Sequence, residues 1–276
     1  MRNVGRKLAF VLAASNHGTM IVNRFDYRMT GPGQGAGTGV GVGFQLLEAG
    51  CFDPVEVELA LQLIEARRRF HGDGVVAIDC GANIGVHTIE WATAMTGWGS
   101  VVAVEAQERI YYALAGNIAI NNCFNAIAMN AAVSSATGIM QIPVPDYLQP
   151  SSFGSLELKP RADTEFIGQP IDYSKTVAVQ QISIDALGLP RVDLVKLDIE
   201  GMELEALEGA KDTIARCHPI FLVESIKAGR DALRAFFEQH GYKIADAGIN
   251  LLAIHKSDPV ANELQVPDAQ AQSSAA

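Results

Sequence analysis

The sequence has 276 residues, 49% of them hydrophobic, enough for one large α/β domain with a well-buried core and peripheral elaborations. Its 21 basic and 31 acidic side chains leave a formal net charge of −10, which opposes attraction to nucleic-acid phosphates and to anionic lipids. No apolar run approaches the roughly 20 residues that span a bilayer. Cys51, Cys80, Cys123 and Cys217 form no CxxC pair or Cys/His metal spacing, so a zinc site and a disulfide framework are disfavoured and a reducing, cytoplasmic home is expected.

Residues 1–74 read as an N-terminal extension. Arg2, Arg6 and Lys7, followed by Leu8 to Ala14, resemble a short secretory leader, but the apolar run is at the bottom of the permitted length, and a helix or strand of the domain is preferred. From Gly31 to Gly43 every second residue is glycine. That stretch cannot be a stable helix and lacks the Lys-Ser/Thr ending of a P-loop, so a mobile loop able to serve as a lid is expected. Asp53 as N-cap and Pro54 at the first helical position then open a helix to about Phe70, with Val55, Leu59, Leu63 and Ile64 on its apolar face. Within it, Arg67-Arg68-Arg69 reads as a solvated helix end rather than a basic binding patch.

From Val75 onward, strands alternate with helices: Val75 to Asp79, a helix near Val86 to Met95, Val101 to Glu105, and a helix near Arg109 to Asn121. Ala126 to Val133, Leu194 to Asp198 and Ile220 to Glu224 continue the strands, with helices at Met202 to Ala215 and Arg230 to His240. Alternation of this kind implies parallel strands joined by right-handed crossovers. Tyr242 to Ala245 and Leu251 to His255 are linked too briefly for a crossover and should form an antiparallel hairpin. The expected architecture is thus a doubly wound, mostly parallel, seven-stranded sheet ending in that hairpin, over residues 75–256. A proline-rich insertion at 138–178 is the expected place of substrate recognition, and residues 257–276 read as a disordered tail.

The strongest chemical signal is Asp79-Cys80-Gly81-Ala82-Asn83-Ile84-Gly85, a turn leaving the first strand for a helix. Gly81 and Gly85 are the positions where backbone can approach a ligand closely. Glu105 ends the second strand 20 residues beyond Gly85, where an acid accepts hydrogen bonds from ribose hydroxyls. Dinucleotide binders use G-x-G-x-x-G to seat a pyrophosphate. Here Asp79 would repel phosphate but attract the cationic amino group of a methionine moiety, so the expected cofactor is S-adenosylmethionine. In Lys196-Leu197-Asp198-Ile199-Glu200-Gly201, a later strand ends in carboxylates beside the same crevice. There they can orient a hydroxyl, accept its proton or hold a divalent cation. Glu203, Glu205 and Glu208 read as the solvated face of the next helix. Lys196 needs either a carboxylate partner or an edge position from which to snorkel. His87 reads as packing or capping before catalysis.

These motifs, with V-V-A-V-E, N-A-A-V-S, V-K-L-D-I-E-G-M-E and the terminal L-L-A-I-H-K, resemble the FkbM-type methyltransferases over about residues 75–256. The resemblance implies a Rossmann-like class I methyltransferase fold and methyl transfer to a hydroxyl of a sugar, polyketide or other small-molecule or glycan acceptor. It implies a cofactor site of Asp79, Gly81, Asn83, Gly85 and Glu105, with catalytic Asp198 and Glu200 facing the reacting centre. Ala106 stands where many members have proline. A metal-free displacement is preferred over an Mg2+-assisted version using Asp198, Glu200 and Glu224. The rival readings are a non-catalytic binding module on the same fold and an NAD-dependent oxidoreductase, which the glycine pattern and terminal hairpin disfavour.

Overall fold

The computed structural model describes residues 7–29 and 39–263. The apolar run Leu8–Ala14 contributes most of β1 (Phe10–Ser15), which pairs antiparallel with β2 (Gly18–Asn23). Most of the alternating-glycine stretch lies outside the described residues. Its end does not: Gly39–Val40 (β4) pairs with Arg28–Met29 (β3), and α1 (Val42–Ala49) starts inside the stretch.

In α2 (Pro54–His71) the buried positions include Val57, Ala60, Leu63 and Ile64, whereas Val55 is 83% exposed and lies off the apolar face. Asp53 precedes this helix with φ 36° and makes no side-chain capping bond.

The remaining elements are β5 (Val75–Cys80), α3 (Val86–Ala94), β6 (Gly99–Glu105), α4 (Glu108–Ile120), β7 (Ala126–Val133), β8 (Gly138–Pro143), β9 (Thr176–Ile182), β10 (Leu194–Leu197), α5 (Glu203–Glu208), α6 (Lys211–Cys217), β11 (Ile220–Glu224), α7 (Arg230–Gln239), β12 (Tyr242–Ala247), β13 (Asn250–His255) and α8 (Val260–Glu263). One sheet runs β12-β13-β11-β10-β5-β6-β7-β9-β8. It contains the seven expected strands, with the terminal hairpin antiparallel against β11, and two more: β8, inside the 138–178 insertion, and β9, which straddles its end. There β9 pairs parallel with β7 and antiparallel with β8. In β8, Met140 and Ile142 are buried while Ile139 and Gln141 are exposed. Alternation of this kind is the mark of a half-buried strand, here at the sheet edge, and the prolines that suggested a loop lie at or beyond its end. The expected helix at Met202 to Ala215 is two helices, interrupted at Gly209 and Ala210, where a side chain on Gly209 would meet the Ser134 carbonyl at 2.4 Å.

Strand residues alternate between two apolar layers, as burial of both faces requires. Ala77, Val101 and Leu194 meet α2, α3 and α4, with Trp91 wholly buried; Ile78, Val102 and Val195 meet α5, α6 and α7. The N-terminal hairpin is tied to this body by Asn117, whose Oδ1 accepts from the Ile21 N–H at 2.6 Å.

A buried ionic cluster fastens α2 to both the sheet and the C-terminal segment. Arg67, 5% exposed, donates from Nε to Asp193 Oδ1 at 3.0 Å and from Nη1 to Asp258. Asp193 also accepts from Val76 N–H and Arg191, and Asp258 accepts from the Val260 N–H at the start of α8. Arg67 is therefore no solvated helix end, and Arg68 and Arg69 pair with Asp73 and Glu263. Nor is residue 257 the start of a disordered tail: Val260 and Ala261 are buried in α8, and residues 264–276 lie outside the described part. No helix among the described residues is long and apolar enough to cross a membrane.

Removing one member of a buried ion pair strands its partner's charge. Arg67→Met should therefore lower the free energy of unfolding by about 3 kcal/mol, read from urea denaturation monitored by circular dichroism.

Candidate functional site

Chain order runs outward from β5 to β6 and β7, then returns to β10 on its other side. Such a reversal opens a crevice at the carboxyl ends of the two diverging strands. A cleft of about 260 Å3 occupies this place, lined by Asp79, Gly81, Asn83, Glu105, Asp198 and Glu200 among others. Of the residues assigned from the sequence, Gly85 alone is not on its wall.

The loop after β5 turns sharply through left-handed Gly81, Asn83 and Gly85. A side chain on Gly81 would sit 1.8 Å from the Asp198 carbonyl, and one on Gly85 would meet Leu114 at 2.6 Å. These glycines therefore let protein pack on protein. Gly81 brings the β5 turn against the β10 tip, and Gly85 lets α3 start close to α4.

Glu105 is 5% exposed and fixes the loop: Oε2 accepts from the Asn83 N–H at 3.0 Å and Oε1 from the Gln107 N–H at 2.8 Å. Burial pushes its carboxyl up to about 7, against those two backbone donors. A carboxylate has about four acceptor positions, so both oxygens can take further donors from the cleft. Asp79, 1% exposed, accepts from Thr88 Oγ1 at 2.6 Å.

Lys196 lies in β10, an inner strand, and is 5% exposed, which excludes the edge-snorkelling account. Its Nζ donates to Asp198 Oδ2 at 2.8 Å and lies 3.6 Å from Glu56 Oε1. Burial alone would depress this ammonium. Asp198, Glu56 and Asp79 outweigh burial and hold its pKa above the ordinary lysine value. Glu56, from the first turn of α2, escaped the sequence reading because an acid there looks like an ordinary favourable helix-start charge. Burial would raise its carboxyl, but His87, Lys196 and Asn250 outweigh that and hold it at about 2. His87 lines the cleft, and its Nε2 is 3.3 Å from Glu56 Oε1, in ion-pair range without hydrogen-bond alignment.

Glu200 has φ 57° and accepts from Lys227 Nζ, which also reaches Glu165 at 3.1 Å and the Ser155 carbonyl at 3.2 Å. The insertion is thereby strapped across the cleft, with Ser152, Gly154 and Leu156 on its wall. Burial, then Asp198, raises the Glu200 carboxyl well above the usual range, against the pull of Lys227. Glu203 is wholly buried, not on a solvated face. It accepts from the Ile199 and Gly201 N–H groups at 3.0 Å each. Glu205 and Glu208 pair with Lys159 and Lys211.

Glu224 ends β11 beside this group, and its buried Oε2 has no hydrogen-bond partner among the described residues. Asp198, Glu200 and Glu224 each bring an oxygen within 4.8 Å of the others, a grouping able to hold a metal ion. Two of the three already carry a lysine ammonium.

A family model described as "Methyltransferase FkbM domain" matches residues 79–244. Methyltransferase sdnD of Sordaria araneosa is 26% identical over 194 residues, 60% of this chain and 73% of that protein. A crystal structure of methyltransferase FkbM from Methylobacillus flagellatus KT is similar with TM-score 0.47 and 18% identity over 66% of this chain; the chain spans 44% of that protein's length. A SAM-dependent methyltransferase from Aquifex aeolicus gives TM-score 0.36 and 10% identity over 74% of this chain and 97% of that one. With the family model covering more than half the sequence, this chain belongs to the FkbM methyltransferases, a family that depends on S-adenosylmethionine.

Proposed function

We propose that the protein transfers the methyl group of S-adenosylmethionine to a hydroxyl oxygen of a small-molecule or glycan acceptor in the cytoplasm. The observation that carries this reading is that acids at the tips of four adjacent strands line one cleft: Glu105 on β6, Asp79 on β5, Asp198 after β10 and Glu224 on β11. The residues fit the donor. Glu105 has acceptor capacity left for two ribose hydroxyls, and Asp79 and its acidic neighbours suit a cationic methionyl end where a pyrophosphate would be repelled. Bound there, S-adenosylmethionine supplies an activated methyl group.

The chain's own part is alignment and exclusion of water. Asn83 and Gly81 shape the donor wall, Gly85 sets the helix behind it, and the insertion roofs the acceptor end. Asp198 and Glu200 face the reacting centre, held by Lys196 and Lys227. Because these ammonium groups already neutralise two of the three clustered carboxylates, we favour a reaction without Mg2+. Loss of activity with a chelator and its return with magnesium would reverse that preference. The net negative charge argues against nucleic-acid and membrane partners.

Incubation with isotopically labelled methyl donor and a cell extract should label a hydroxyl-bearing compound and release S-adenosylhomocysteine; donor binding without any turnover would favour the binding-module reading instead. Glu105→Gln should weaken donor binding by about 1.5–3 kcal/mol through loss of charge-assisted bonds to ribose, measured by calorimetry. The pH dependence follows from the same group. Its carboxyl is raised to about 7 in the free protein, and the ionised form is the acceptor of the ribose hydroxyls. Affinity should therefore be nearly full a unit above pH 7, half that at about pH 7, and fall by up to about tenfold per unit below it until the loss matches that of the uncharged variant. Glu105→Gln should lose this component, and an unchanged pH profile in that variant would refute the ribose role. Asp198→Asn should lower turnover more than donor affinity.

A further inference from the structure

We propose that Glu224, rather than Asp198 or Glu200, is the carboxylate that receives the acceptor's hydroxyl and takes its proton. This assignment rests on the O-methyltransferase reading above.

The acids of the cleft differ in what already occupies them. Thr88 Oγ1 donates to Asp79, two backbone N–H groups to Glu105, Lys196 to Asp198 and Lys227 to Glu200. Asp53 and Glu224 line the same cleft without a side-chain donor among the described residues, and of the two only Glu224 has its unpartnered oxygen, Oε2, buried. A buried acceptor left unmade is costly, so native proteins keep one where something else supplies the donor. A substrate hydroxyl is such a donor.

Position agrees with this role. β11 runs parallel to β10, with Val223 opposite Leu197, so Glu224 follows at the same level as Asp198. It stands at the end of the four strand tips away from Glu105, leaving the space between for donor and acceptor. The tip is fixed rather than mobile: Glu224 is in register with Asn250, whose Nδ2 donates to Glu56 at 2.6 Å, and Ser225 donates from N and Oγ to the Ile249 carbonyl at 3.1 and 2.8 Å. Ile249 also lines the cleft and puts apolar surface beside the carboxylate.

Burial, with Asp198 and Glu203 nearby, pushes the Glu224 carboxyl up to about 7 against the pull of Lys227 and Lys196. In the step, the hydroxyl oxygen bonds to the methyl carbon as the carbon–sulfur bond breaks, and that bond's electron pair goes to sulfur. The hydroxyl proton passes to Glu224 Oε2 and then to solvent.

The test needs no knowledge of the acceptor. Sinefungin carries an amine-bearing carbon in place of the sulfonium and its methyl, so its amine reports on the group facing the transferred methyl. Calorimetric dissociation constants for sinefungin and for S-adenosylhomocysteine are measured with the full-length wild type, Glu224→Gln, Glu224→Asp and Glu200→Gln. The expected result is a sinefungin preference lowered roughly 10- to 100-fold by Glu224→Gln, with S-adenosylhomocysteine affinity unchanged. Glu224→Asp should retain part of the preference and Glu200→Gln most of it. On an acceptor found by labelling, Glu224→Gln should also lower kcat by about 10²- to 10⁴-fold. An unchanged preference in Glu224→Gln overturns the assignment, as does loss of S-adenosylhomocysteine binding in both Glu224 variants, which would place the carboxylate in the donor site or the fold. Failure of the wild type to bind either compound would sink the methyltransferase reading itself.

Discussion

A single buried ammonium makes the acidic cleft tenable. Lys196 projects from an inner strand into a region where Asp198, Glu56 and Asp79 all approach it. Carboxylates removed from water without a counter-charge protonate or unfold the site. Lysine in the same place without them would lose its proton for the same reason. Each makes the other affordable in its charged state, and the consequence reaches beyond the pair. Through Glu56 the network touches His87 on α3 and Asn250 on β13, so α2, α3 and the terminal hairpin are positioned by the same charge balance.

A close backbone approach does the complementary work. Because Gly81 has no side chain, the turn after β5 lies directly against the Asp198 carbonyl, drawing the two strand tips together under the cleft. Glu105 then locks the far side of that turn through the Asn83 N–H. The lock and the proposed ribose contact use the same carboxylate, so the loop is already set in place before any ligand arrives. The insertion closes the remaining side through Lys227, which holds Glu200 and Glu165 and the Ser155 carbonyl together.

Much of this was legible in the chain because it rests on short-range patterns. The Asp79 to Gly85 turn, the acid ending the next strand and the Lys196 to Gly201 run are contiguous motifs at fixed topological places, and the brief link before Leu251 allowed only a hairpin. What escaped depends on partners distant in sequence. Arg67 looks like one of three solvated arginines until Asp193 and Asp258 close on it. Glu203 looks like a surface acid until the Ile199 turn folds back to donate to it. Val55 was placed on the apolar face by its hydrophobicity, although the helix phase set by Val57, Ala60 and Ile64 turns it outward. The two added strands were obscured because prolines drew more weight than the alternation in Gly138–Pro143.

The same charge distribution bears on turnover in the proposed reaction. Among the described residues, the acidic side chains of Asp53, Asp79, Glu105, Asp198, Glu200 and Glu224 line the cleft, with Lys196 on the same wall and Lys227 behind Glu200. Such a field favours a ligand with a positive centre and disfavours an anionic one. Transfer of the methyl group removes the positive charge from sulfur, so the attraction that helps gather the donor is weakened in the product. The proton leaving the acceptor neutralises a carboxylate in the same step, so a sulfonium–carboxylate charge pair disappears, with net charge unchanged, in a poorly solvated space where separated charges are most costly. In the proposed reaction, an acidic, lysine-braced cleft would thus couple donor capture to product release through one change in charge, with groups that the fold already holds in place.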